Sequence, residues 1–308
     1  MIYGFDIGGT KIAFAAYDDK LHPQLAEVHA TPKDDYDAFL ALITEQIQRA
    51  DSHFGAKMPV GFGFPGIQNE KGAVLAPNVP AIHDRNLLGD LQLRLERPVY
   101  GNNDANCFLL SESHGGAVAG KELALGLTLG TGVGGALIHK GCLISGRRFG
   151  CGEFGHGPVG ADVLARYPGL PLYACGCGRI ACLETYVSGT GLARLAQYTG
   201  SEQTGQQLMD SWLEGDARAT TCMNVYLDIL SSGLGTLITQ LDPDAIVLGG
   251  GISETPALYQ ALASRLPACL MTGMQAPPVY GPVFGGAGGV RGAALLARQP
   301  DWAFSSLA

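Results

Sequence analysis

Residues Ile2–Tyr17, IYGFDIGGTKIAFAAY, give the first indication of how this chain folds. The segment predicts two strands joined by a glycine turn, because apolar and aromatic residues flank the tripeptide GGT. The same order returns at Leu123–Lys140, LALGLTLGTGVGGALIHK. A repeat of strand, glycine turn and strand indicates an internal duplication. The alternative is a pair of unrelated hairpins that both need glycine.

Strands and helices alternate along the rest of the chain, which is typical of α/β layering. Apolar residues at helical spacing, from Tyr36 to Ile47, predict a helix after Pro32. The other predicted elements are a strand at Val60–Gly66, helices at Leu87–Leu95, near Ala105, from about Met223 and at Arg291–Arg298, short strands at Pro98–Tyr100 and Ala245–Leu248, and a loop-rich stretch at Gly146–Glu184.

A domain boundary is predicted near Gly115–Gly120, where glycines precede the restart of the pattern. We therefore expect a small N-terminal domain at residues 1–117 and a larger C-terminal domain at residues 118–291. A C-terminal helix within residues 292–308 is expected to pack back onto the first domain.

Composition limits the possible functions. Of 308 residues, 46% are hydrophobic and only 16% are charged, which argues against a disordered chain. Glycine is abundant, with 45 residues, but it follows no G-X-Y period, which excludes collagen. The net charge of −8 and the lack of a basic stripe argue against nucleic acid as a partner. The sequence contains no signal peptide or spanning segment, so we expect a cytoplasmic protein without membrane contact.

Two glycine turns are candidate phosphate-binding loops. Asp6 lies at the end of the first strand and is followed by Gly8-Gly9-Thr10-Lys11, whose backbone N–H groups can line one concave turn. Glycine has no Cβ, so phosphate oxygens can approach the backbone closely, and Asp6 could hold Mg²⁺ through water. The second turn, Gly130-Thr131-Gly132-Val133-Gly134-Gly135, could clamp a polyphosphate with the first across a cleft. The alternative for either turn is a tight hairpin without a ligand.

Two further motifs follow predicted strands. Gly249-Gly250-Gly251 leaves room for a flat ring to lie against the backbone, although a helix N-terminal turn packed on the sheet is the alternative. Asp104, in Asn103-Asp104-Ala105-Asn106, lies where a strand meets a helix. A carboxylate there suits a general base that accepts a hydroxyl proton during phosphoryl transfer. The alternative is a plain N-cap, for which Asp and Asn are preferred.

Three cysteines in a glycine-rich loop predict a metal site. Cys175, Cys177 and Cys182 form a CxCx₄C cluster, and His156 lies upstream. Three thiolates and one imidazole form a closed tetrahedral set suited to structural Zn²⁺, so the metal would organise the loop rather than take part in catalysis. Free buried thiols are the alternative. The other cysteines have no such spacing and are expected to be core residues.

Two acidic residues flank this cluster in sequence, Glu153 and Glu184. If a metal folds the loop, both acids come to one site, where they could accept hydrogen bonds from a polyol. The alternative for each is a solvated surface acid.

Seven motifs occur in the order found in the ROK sugar kinases, and the chain resembles that family over nearly its whole length. The motifs are DIGGTK (Asp6–Lys11), GFPG (Gly63–Gly66), NDAN (Asn103–Asn106), LGTGVGG (Leu129–Gly135), GEFGH (Gly152–His156), CGCG…CLE (Cys175–Glu184) and LGGG (Leu248–Gly251). The resemblance implies an α/β protein with two ribonuclease-H-like domains, of the actin-like ATPase and sugar kinase type, around a central cleft. It also implies ATP-dependent phosphorylation of a hexose at its 6-hydroxyl.

The resemblance implies a role for each matching residue. Asp104 is the expected catalytic base, and His156 is expected to contact the sugar through one ring nitrogen and zinc through the other. The residues expected at ATP and Mg²⁺ are Gly4, Phe5, Asp6, Ile7, Gly8, Gly9, Thr10, Lys11, Gly130, Thr131, Gly132, Val133, Gly134, Gly135, Gly249, Gly250 and Gly251. The residues expected at the sugar are Gly66, Asn78, Asn103, Asp104, Glu153, His156 and Glu184. The expected zinc ligands are His156, Cys175, Cys177 and Cys182.

Three segments favour N-acetyl-D-glucosamine as the sugar, with N-acetyl-D-glucosamine 6-phosphate as the product. They are TPKDDYDAF (Thr31–Phe39), NVPA (Asn78–Ala81) and CGCG…CLETYVSGTG (Cys175–Gly191). Fructokinases share much of this pattern, so fructose, glucose and N-acetylmannosamine stay open as alternatives. Family members are often dimers, which leaves a homodimer open as well.

Two other classes of protein are less favoured. A sugar-responsive transcription regulator of the family would carry a DNA-binding helix-turn-helix before the phosphate loop, whereas Asp6 lies at the chain start. A zinc-ribbon module that binds nucleic acid is disfavoured by the acidic net charge.

The sequence departs from the family pattern in two places. Ala181 precedes Cys182 where the family usually has glycine, and Ile180 occupies a position that is often polar. Gly285–Gly289, GGAGG, lacks the aspartate expected in a GDxAG-like segment. We expect the first departure to shift the metal loop and the second to change contacts on the adenosine side.

Overall fold

The computed structural model describes residues 1–146 and 150–299. These residues divide into two compact units. The first contains the described residues of Met1–Ala119, Ala136–Cys151 and Val283–Ala308, and the second contains Gly120–Gly135 and Gly152–Pro282. The domain limits at residues 117 and 291 stay a prediction, and of the expected C-terminal helix residues 300–308 lie outside the described part of the chain.

The described residues form a mixed α/β fold. The strands are β1 (Ile2–Ile7), β2 (Lys11–Tyr17), β3 (Pro23–Ala30), β4 (Val60–Phe64), β5 (Ile67–Gln68), β6 (Val74–Leu75), β7 (Val99–Asn103), β8 (Leu123–Leu129), β9 (Val133–His139), β10 (Cys142–Leu143), β11 (Ala245–Gly249) and β12 (Val279–Tyr280). The α-helices are α1 (Tyr36–Phe54), α2 (Leu87–Leu95), α3 (Asp104–Ser113), α4 (Ala161–Arg166), α5 (Glu184–Val187), α6 (Gly189–Tyr198), α7 (Gly205–Leu213), α8 (Ala217–Leu241), α9 (Pro256–Arg265) and α10 (Gly288–Leu296).

The two large sheets have the same connection order. The first runs β3-β2-β1-β4-β7 and the second runs β10-β9-β8-β11-β12. In the first, β1 pairs antiparallel with β2 and parallel with β4, and β4 pairs parallel with β7. In the second, β8 pairs parallel with β11, and β11 with β12. A shared order is what the predicted duplication requires, because each glycine turn then follows the central strand of its sheet.

Apolar packing on the first sheet follows the sequence pattern. The ring of Phe5 stacks on Phe14 with centroids 4.6 Å apart and on Phe62 at 5.1 Å, and all three side chains are buried. Helix α1 buries the predicted apolar face, because Asp35 accepts the N–H of Ala38 and starts the helix in the expected register. The buried residues of this face are Phe39, Leu40, Ile43 and Ile47.

Two helices begin earlier than predicted. Helix α8 begins at Ala217 rather than near Met223, because the Asp216 side chain accepts the N–H of Ala219 at 2.8 Å. The last helix was expected at Arg291–Arg298 but spans Gly288–Leu296. Glycine disfavours helix in isolation, so the first turn of α10 is stabilised by tertiary packing that sequence spacing does not show.

Helix α10 packs unusually closely on the first sheet. A Cβ added at Gly4 of β1 would lie 2.1 Å from the carbonyl oxygen of Val290, and one at Gly61 of β4 would lie 1.8 Å from that of Ala293. Only glycine fits at both strand positions, because these distances are far below van der Waals contact. The backbone of α10 therefore lies directly on the backbone of the sheet.

Among residues 1–146 and 150–299, no helix combines the length and the apolar character that crossing a bilayer requires.

We predict that Gly61→Ala lowers the free energy of unfolding by about 3 kcal/mol, since α10 must move away from β4 to admit the methyl group. Urea denaturation measures the change. Gly286→Ala is the matched control, because an added Cβ there has no atom within 4 Å among the described residues. Equal stability of the two variants would contradict the close packing of α10.

Candidate functional site

The first glycine turn joins β1 to β2 and is held from both sides. The N–H of Gly8 donates to the carbonyl oxygen of Lys11 at 2.9 Å, which closes the turn. Thr31, after β3, donates its hydroxyl to the Gly8 carbonyl at 2.7 Å and its N–H to the Thr10 carbonyl at 3.1 Å. The turn thus has a defined shape, and side-chain and backbone donors occupy its carbonyl oxygens.

Asp6 lies one residue before this turn, at the carboxyl end of β1. Burial raises the pKa of its carboxyl group to about 6, although the nearby Lys11 acts in the opposite direction. A Cβ added at Gly289 of α10 would lie 2.4 Å from Oδ2 of Asp6. The absence of a side chain at position 289 therefore leaves the space that the carboxylate occupies.

Residues at the ends of β4 and β7 meet at the same sheet edge. Gly66 has a φ of 91°, and a Cβ there would lie 2.0 Å from the carbonyl oxygen of Leu75, so glycine is required. The side chain of Asn103 donates to the Gly66 carbonyl at 3.0 Å. Asn78 is exposed, and its carbonyl oxygen lies against Gly9 of the turn, 3.0 Å from where a Cβ would be. The structure thus brings Gly66, Asn78 and Asn103 to one face of the first unit.

Asn103, not Asp104, caps helix α3. Its Oδ1 accepts the N–H groups of Ala105 at 2.8 Å and Asn106 at 3.4 Å. Asp104 is the first residue of the helix, is only partly buried, and accepts the N–H of Ala105 at 2.8 Å. The plain N-cap interpretation therefore applies to Asn103. Asp104 places a carboxylate at a helix amino terminus, which stabilises negative charge.

The second glycine turn joins β8 to β9. The N–H of Gly130 donates to the Gly132 carbonyl at 3.0 Å, and that of Val133 donates to Glu184 at 2.9 Å. The N–H of Gly134 donates to the Thr128 hydroxyl at 3.2 Å. Three of the N–H groups expected at phosphate are therefore bonded within the protein.

The carbonyl groups of the same turn are also bonded. Gly189 donates its N–H to the Gly130 carbonyl at 2.7 Å, and Thr190 donates its hydroxyl to the Thr131 carbonyl at 3.1 Å. Gly135 packs against the carbonyl oxygen of Gly152, 2.3 Å from where a Cβ would be. The turn is closely packed at Gly135, and hydrogen bonds fix its backbone at Gly130 and Thr131.

The glycines after β11 have different surroundings. Gly249 is the last residue of β11, and Gly250 has a φ of 83°. A Cβ at Gly250 would lie 2.5 Å from the carbonyl oxygen of Leu129, whereas one at Gly251 would meet no described atom within 4 Å. Close packing on the sheet explains Gly250, whereas Gly251 leaves open space.

The predicted cysteine and histidine ligands come together. The nearest ligand atoms of His156, Cys175, Cys177 and Cys182 all lie within 4.8 Å of one another. Sγ of Cys175 is 3.5 Å from Nδ1 of His156, and Sγ of Cys177 is 3.6 Å from Sγ of Cys182. Tetrahedral zinc with bonds of about 2.3 Å to sulfur puts sulfur atoms about 3.7 Å apart. The donor set and its spacing therefore suit a metal ion.

Ala181, where the family usually has glycine, is held by two backbone hydrogen bonds. Ala181 has a φ of 54°, a left-handed conformation that glycine adopts without strain. Its N–H donates to the Tyr173 carbonyl at 2.8 Å and its carbonyl accepts the N–H of Val159 at 3.0 Å. Alanine thus takes up a glycine-like backbone conformation at this position, and a shift of the metal loop stays a prediction.

Glu153 and Glu184 lie beside the cysteine cluster. Nε2 of His156 is 3.5 Å from a carboxylate oxygen of Glu153, while its Nδ1 faces Cys175. Oε1 of Glu184 is 3.6 Å from Sγ of Cys175, and its Oε2 accepts the N–H of Val133. Burial raises the pKa of Glu153, with Glu184 adding to the effect and His156 opposing it. The two acids and the histidine form one cluster within the second unit.

Some residues at the site carry no sequence signal. Thr31 and Thr190 hold the carbonyl groups of the turns, and Gly289 makes room for Asp6, although none belongs to a motif quoted above for its role. Hydrogen bonds between residues far apart in sequence leave no spacing pattern.

The comparison with known families identifies the class of protein. The ROK family model matches residues 2–300. The chain therefore belongs to the ROK family, and the resemblance expected from its motifs is confirmed. The expected fold class, with two ribonuclease-H-like domains of the sugar kinase type, is also confirmed by solved structures of ROK sugar kinases.

Two relatives, both N-acetyl-D-glucosamine kinases, match nearly the whole chain. The N-acetyl-D-glucosamine kinase of Escherichia fergusonii is 45% identical over 300 residues, which cover 96% of this chain and 99% of that protein. The N-acetyl-D-glucosamine kinase of Shigella boydii is 44% identical with the same coverage.

Two solved structures match nearly the whole chain. The ROK hexokinase from Thermus thermophilus has a TM-score of 0.85 and 32% identity. The match covers 97% of this chain and 98% of the hexokinase chain. A ROK family glucokinase from Streptomyces griseus, solved in complex with glucose and AMPPNP, has a TM-score of 0.79 and 30% identity, with 97% and 99% coverage.

The raised pKa of Asp6 predicts how Asp6→Asn changes stability with pH. Because the folded state holds the proton more tightly than the unfolded state does, the native protein loses stability as pH rises from about 4 to 6. Asp6→Asn has no carboxyl group to titrate and so does not show this loss. The free energy of unfolding of the variant, relative to that of the native protein, should therefore rise by about 2–3 kcal/mol between pH 4 and pH 7. Urea denaturation at both pH values measures the gain.

Asp34→Asn, at an exposed aspartate, is the control and should show no such pH dependence. A difference between native protein and Asp6→Asn that is the same at both pH values would contradict the burial of Asp6.

Proposed function

We propose that this chain transfers the γ-phosphoryl group of ATP to the 6-hydroxyl of N-acetyl-D-glucosamine, forming N-acetyl-D-glucosamine 6-phosphate. The observation that carries the proposal is the 45% identity to an N-acetyl-D-glucosamine kinase over 300 residues, because it extends over 96% of this chain and 99% of that protein. The sugar and ATP are small soluble molecules, and we propose that the enzyme acts on them in the cytoplasm. A homodimer stays a prediction.

In this proposal Asp104 is the general base. Its carboxylate accepts the proton of the 6-hydroxyl as the oxygen attacks phosphorus, and the capping of α3 by Asn103 holds it at the helix start. Asn103 keeps its side-chain N–H on Gly66, which sets the orientation of the amide beside the sugar.

The two glycine turns would hold the phosphates. Gly9 and Thr10 would present backbone N–H groups from the first turn, and Thr131 and Gly132 would do so from the second, while Gly8 and Gly130 close the turns with their own N–H groups and let the ligand approach the backbone. Asp6 offers the oxygen donor that Mg²⁺ prefers, and its carboxylate occupies the space left by the missing side chain of Gly289. Mg²⁺ bound with ATP supplies positive charge that offsets the charge of the phosphates. Gly249 to Gly251 are proposed to face the adenosine, with the open space at Gly251.

Glu153, His156 and Glu184 would bind the sugar hydroxyls. Glu184 already accepts a hydrogen bond from the N–H of Val133, but a carboxylate has further lone pairs that can accept a hydrogen bond from a sugar hydroxyl. His156 has one ring nitrogen at Cys175 and the other at Glu153, so one imidazole can contact both the metal and the sugar side.

We also propose that the metal is structural Zn²⁺, held by His156, Cys175, Cys177 and Cys182. Burial raises the pKa of the Cys182 thiol, with Cys177 and Cys175 adding to the effect, and a bound zinc ion would take the place of the thiol proton. The four protein donors complete a tetrahedral set, and the metal would fix the loop that carries His156.

We predict that Asp104→Asn lowers kcat by two to four orders of magnitude, because the amide cannot accept the proton. The dissociation constant for N-acetylglucosamine should stay within about threefold of the native value, since the side-chain shape is kept. A coupled ATP-consumption assay and titration calorimetry give the two numbers.

Asp37→Asn is the matched control for this variant, because Asp37 also lies in the first turn of a helix. It should leave both kcat and sugar binding unchanged. Turnover of Asp104→Asn close to that of the native protein would exclude Asp104 as the base.

A second prediction concerns the metal. Protein purified without chelator should contain about one zinc per chain, and Cys177→Ser should lose most of it, melt at a lower temperature and bind the sugar less tightly. Elemental analysis, thermal unfolding and sugar titration measure these effects. Cys142→Ser, at an exposed cysteine outside the cluster, should keep the zinc. A pure native protein without zinc would reject the site.

A panel of four sugars tests the substrate. At matched concentrations, kcat/KM should be highest for N-acetylglucosamine, compared with N-acetylmannosamine, glucose and fructose. If kcat/KM is higher for one of the other three sugars, the proposed phosphoryl transfer stands but N-acetylglucosamine is not the preferred substrate.

A further inference from the structure

In each glycine turn, the hydroxyl of a threonine donates a hydrogen bond to a backbone carbonyl group. In the first turn, Thr31 donates its hydroxyl to the Gly8 carbonyl at 2.7 Å and its backbone N–H to the Thr10 carbonyl at 3.1 Å. Both donors come from one residue, so a single position holds two of the turn's peptide groups. The residue is partly buried and follows the edge strand β3.

The second turn has an equivalent arrangement in the second unit. Thr190 donates its hydroxyl to the Thr131 carbonyl at 3.1 Å, and the N–H of the preceding Gly189 donates to the Gly130 carbonyl at 2.7 Å. The Thr190 hydroxyl is also 2.9 Å from the hydroxyl of Ser188, which caps α6. Again one hydroxyl and one backbone N–H take two carbonyl groups of the turn.

Holding a carbonyl group also orients the N–H of the next residue. A peptide group is planar and trans, so its C=O and N–H point in opposite directions. When the Gly8 carbonyl points to Thr31, the N–H of Gly9 points away from Thr31. By the same geometry, the carbonyls of Gly130 and Thr131 set the N–H directions of Thr131 and Gly132.

This orientation matters for a polyanion. A carbonyl oxygen carries partial negative charge and repels phosphate, whereas an N–H group attracts it. A glycine-rich turn can rotate its peptide groups easily, because glycine populates both signs of φ. A turn without the threonine hydrogen bonds would therefore spend part of its time with carbonyl oxygens towards the ligand, and its apparent affinity would fall in proportion.

We propose that Thr31 and Thr190 are positioning residues for the nucleotide phosphates, each fixing the peptide groups of one glycine turn so that N–H groups face the ligand. The inference rests on the proposed function, since it takes the two turns as the phosphate-binding loops. Neither threonine touches the transferred phosphoryl group in this role. The hydroxyls of Thr31 and Thr190 donate to carbonyl groups of Gly8 and Thr131, neither of which is proposed at the sugar, so nucleotide affinity should depend on them more than sugar affinity does.

Valine and serine variants separate the hydroxyl from the shape of the side chain. Thr31→Val keeps the shape and the backbone N–H contact but removes the hydroxyl donor, whereas Thr31→Ser keeps the donor. Thr190→Val and Thr190→Ser do the same in the second turn. Because the two threonines belong to different units, the second pair tests the proposal if Thr31→Val does not fold.

The measurements are the dissociation constant of Mg-ADP, the dissociation constant of N-acetylglucosamine without nucleotide, and KM for ATP, with the melting temperature of each variant recorded. Each valine variant should bind Mg-ADP about threefold to tenfold more weakly and raise KM for ATP by a similar factor, which is the loss expected for one hydrogen bond. Each serine variant should stay within about twofold of the native protein. The sugar dissociation constant should change by a smaller factor than that of Mg-ADP in each valine variant.

The outcomes distinguish this inference from the proposed function. If the native protein phosphorylates a sugar and binds Mg-ADP while both valine variants bind Mg-ADP as tightly as it does, the positioning role is overturned and the function stands. A valine variant that melts earlier and loses sugar and nucleotide affinity equally also overturns it, because that result describes a purely structural threonine. If the native protein binds no nucleotide, the proposed function and this inference both fail.

Discussion

Helix α10 lies against β1 and β4 at two glycines, and at neither position does a side chain larger than hydrogen fit. The same helix makes room for the carboxylate of Asp6 through Gly289. It also approaches α3 so closely that a Cβ at Gly292 would lie 1.7 Å from a backbone carbonyl oxygen. The direction of β1, which carries Asp6, and the position of α3, which carries Asp104, thus depend on one helix. Because the residues at the interface are small, the helix contacts the sheet backbone to backbone. This packing leaves the carboxylates of Asp6 and Asp104 little freedom to move.

The second unit depends in a similar way on Glu184. One oxygen of its carboxylate contacts Cys175 of the metal cluster, and the other accepts the N–H of Val133 in the second glycine turn. A Cβ at Gly132 would lie 2.6 Å from the same carboxylate, so the turn packs directly on the acid. The loop that carries the cysteines and the turn between β8 and β9 are therefore linked by a single side chain.

Much of this could be predicted from sequence because the signals are local. The strand–turn–strand segments, the cysteine spacing and the apolar face of α1 each lie within a short window, and the structure contains them as expected. Interactions between distant residues could not be predicted. Thr31 reaches Gly8 across 23 positions, and Glu184 reaches Val133 across 51. Local patterns also fail to separate neighbours with similar chemistry: at Asn103-Asp104 both residues suit an N-cap, and only the backbone path decides that asparagine takes that role.

The long sequence separation between β1 and α10 has a consequence for biosynthesis. The first sheet needs this helix to cover β1 and β4, yet the second unit lies between them in sequence and is synthesised before α10. While the chain is growing, the glycine-lined face of the sheet has no partner, and the carboxylates of Asp6 and Asp104 have no fixed surroundings. The first unit thus reaches its final packing only after translation of the second, even though most of its residues precede it. Its assembly closes a long loop that contains the second unit, which ties the final packing of the first unit to the synthesis of the second.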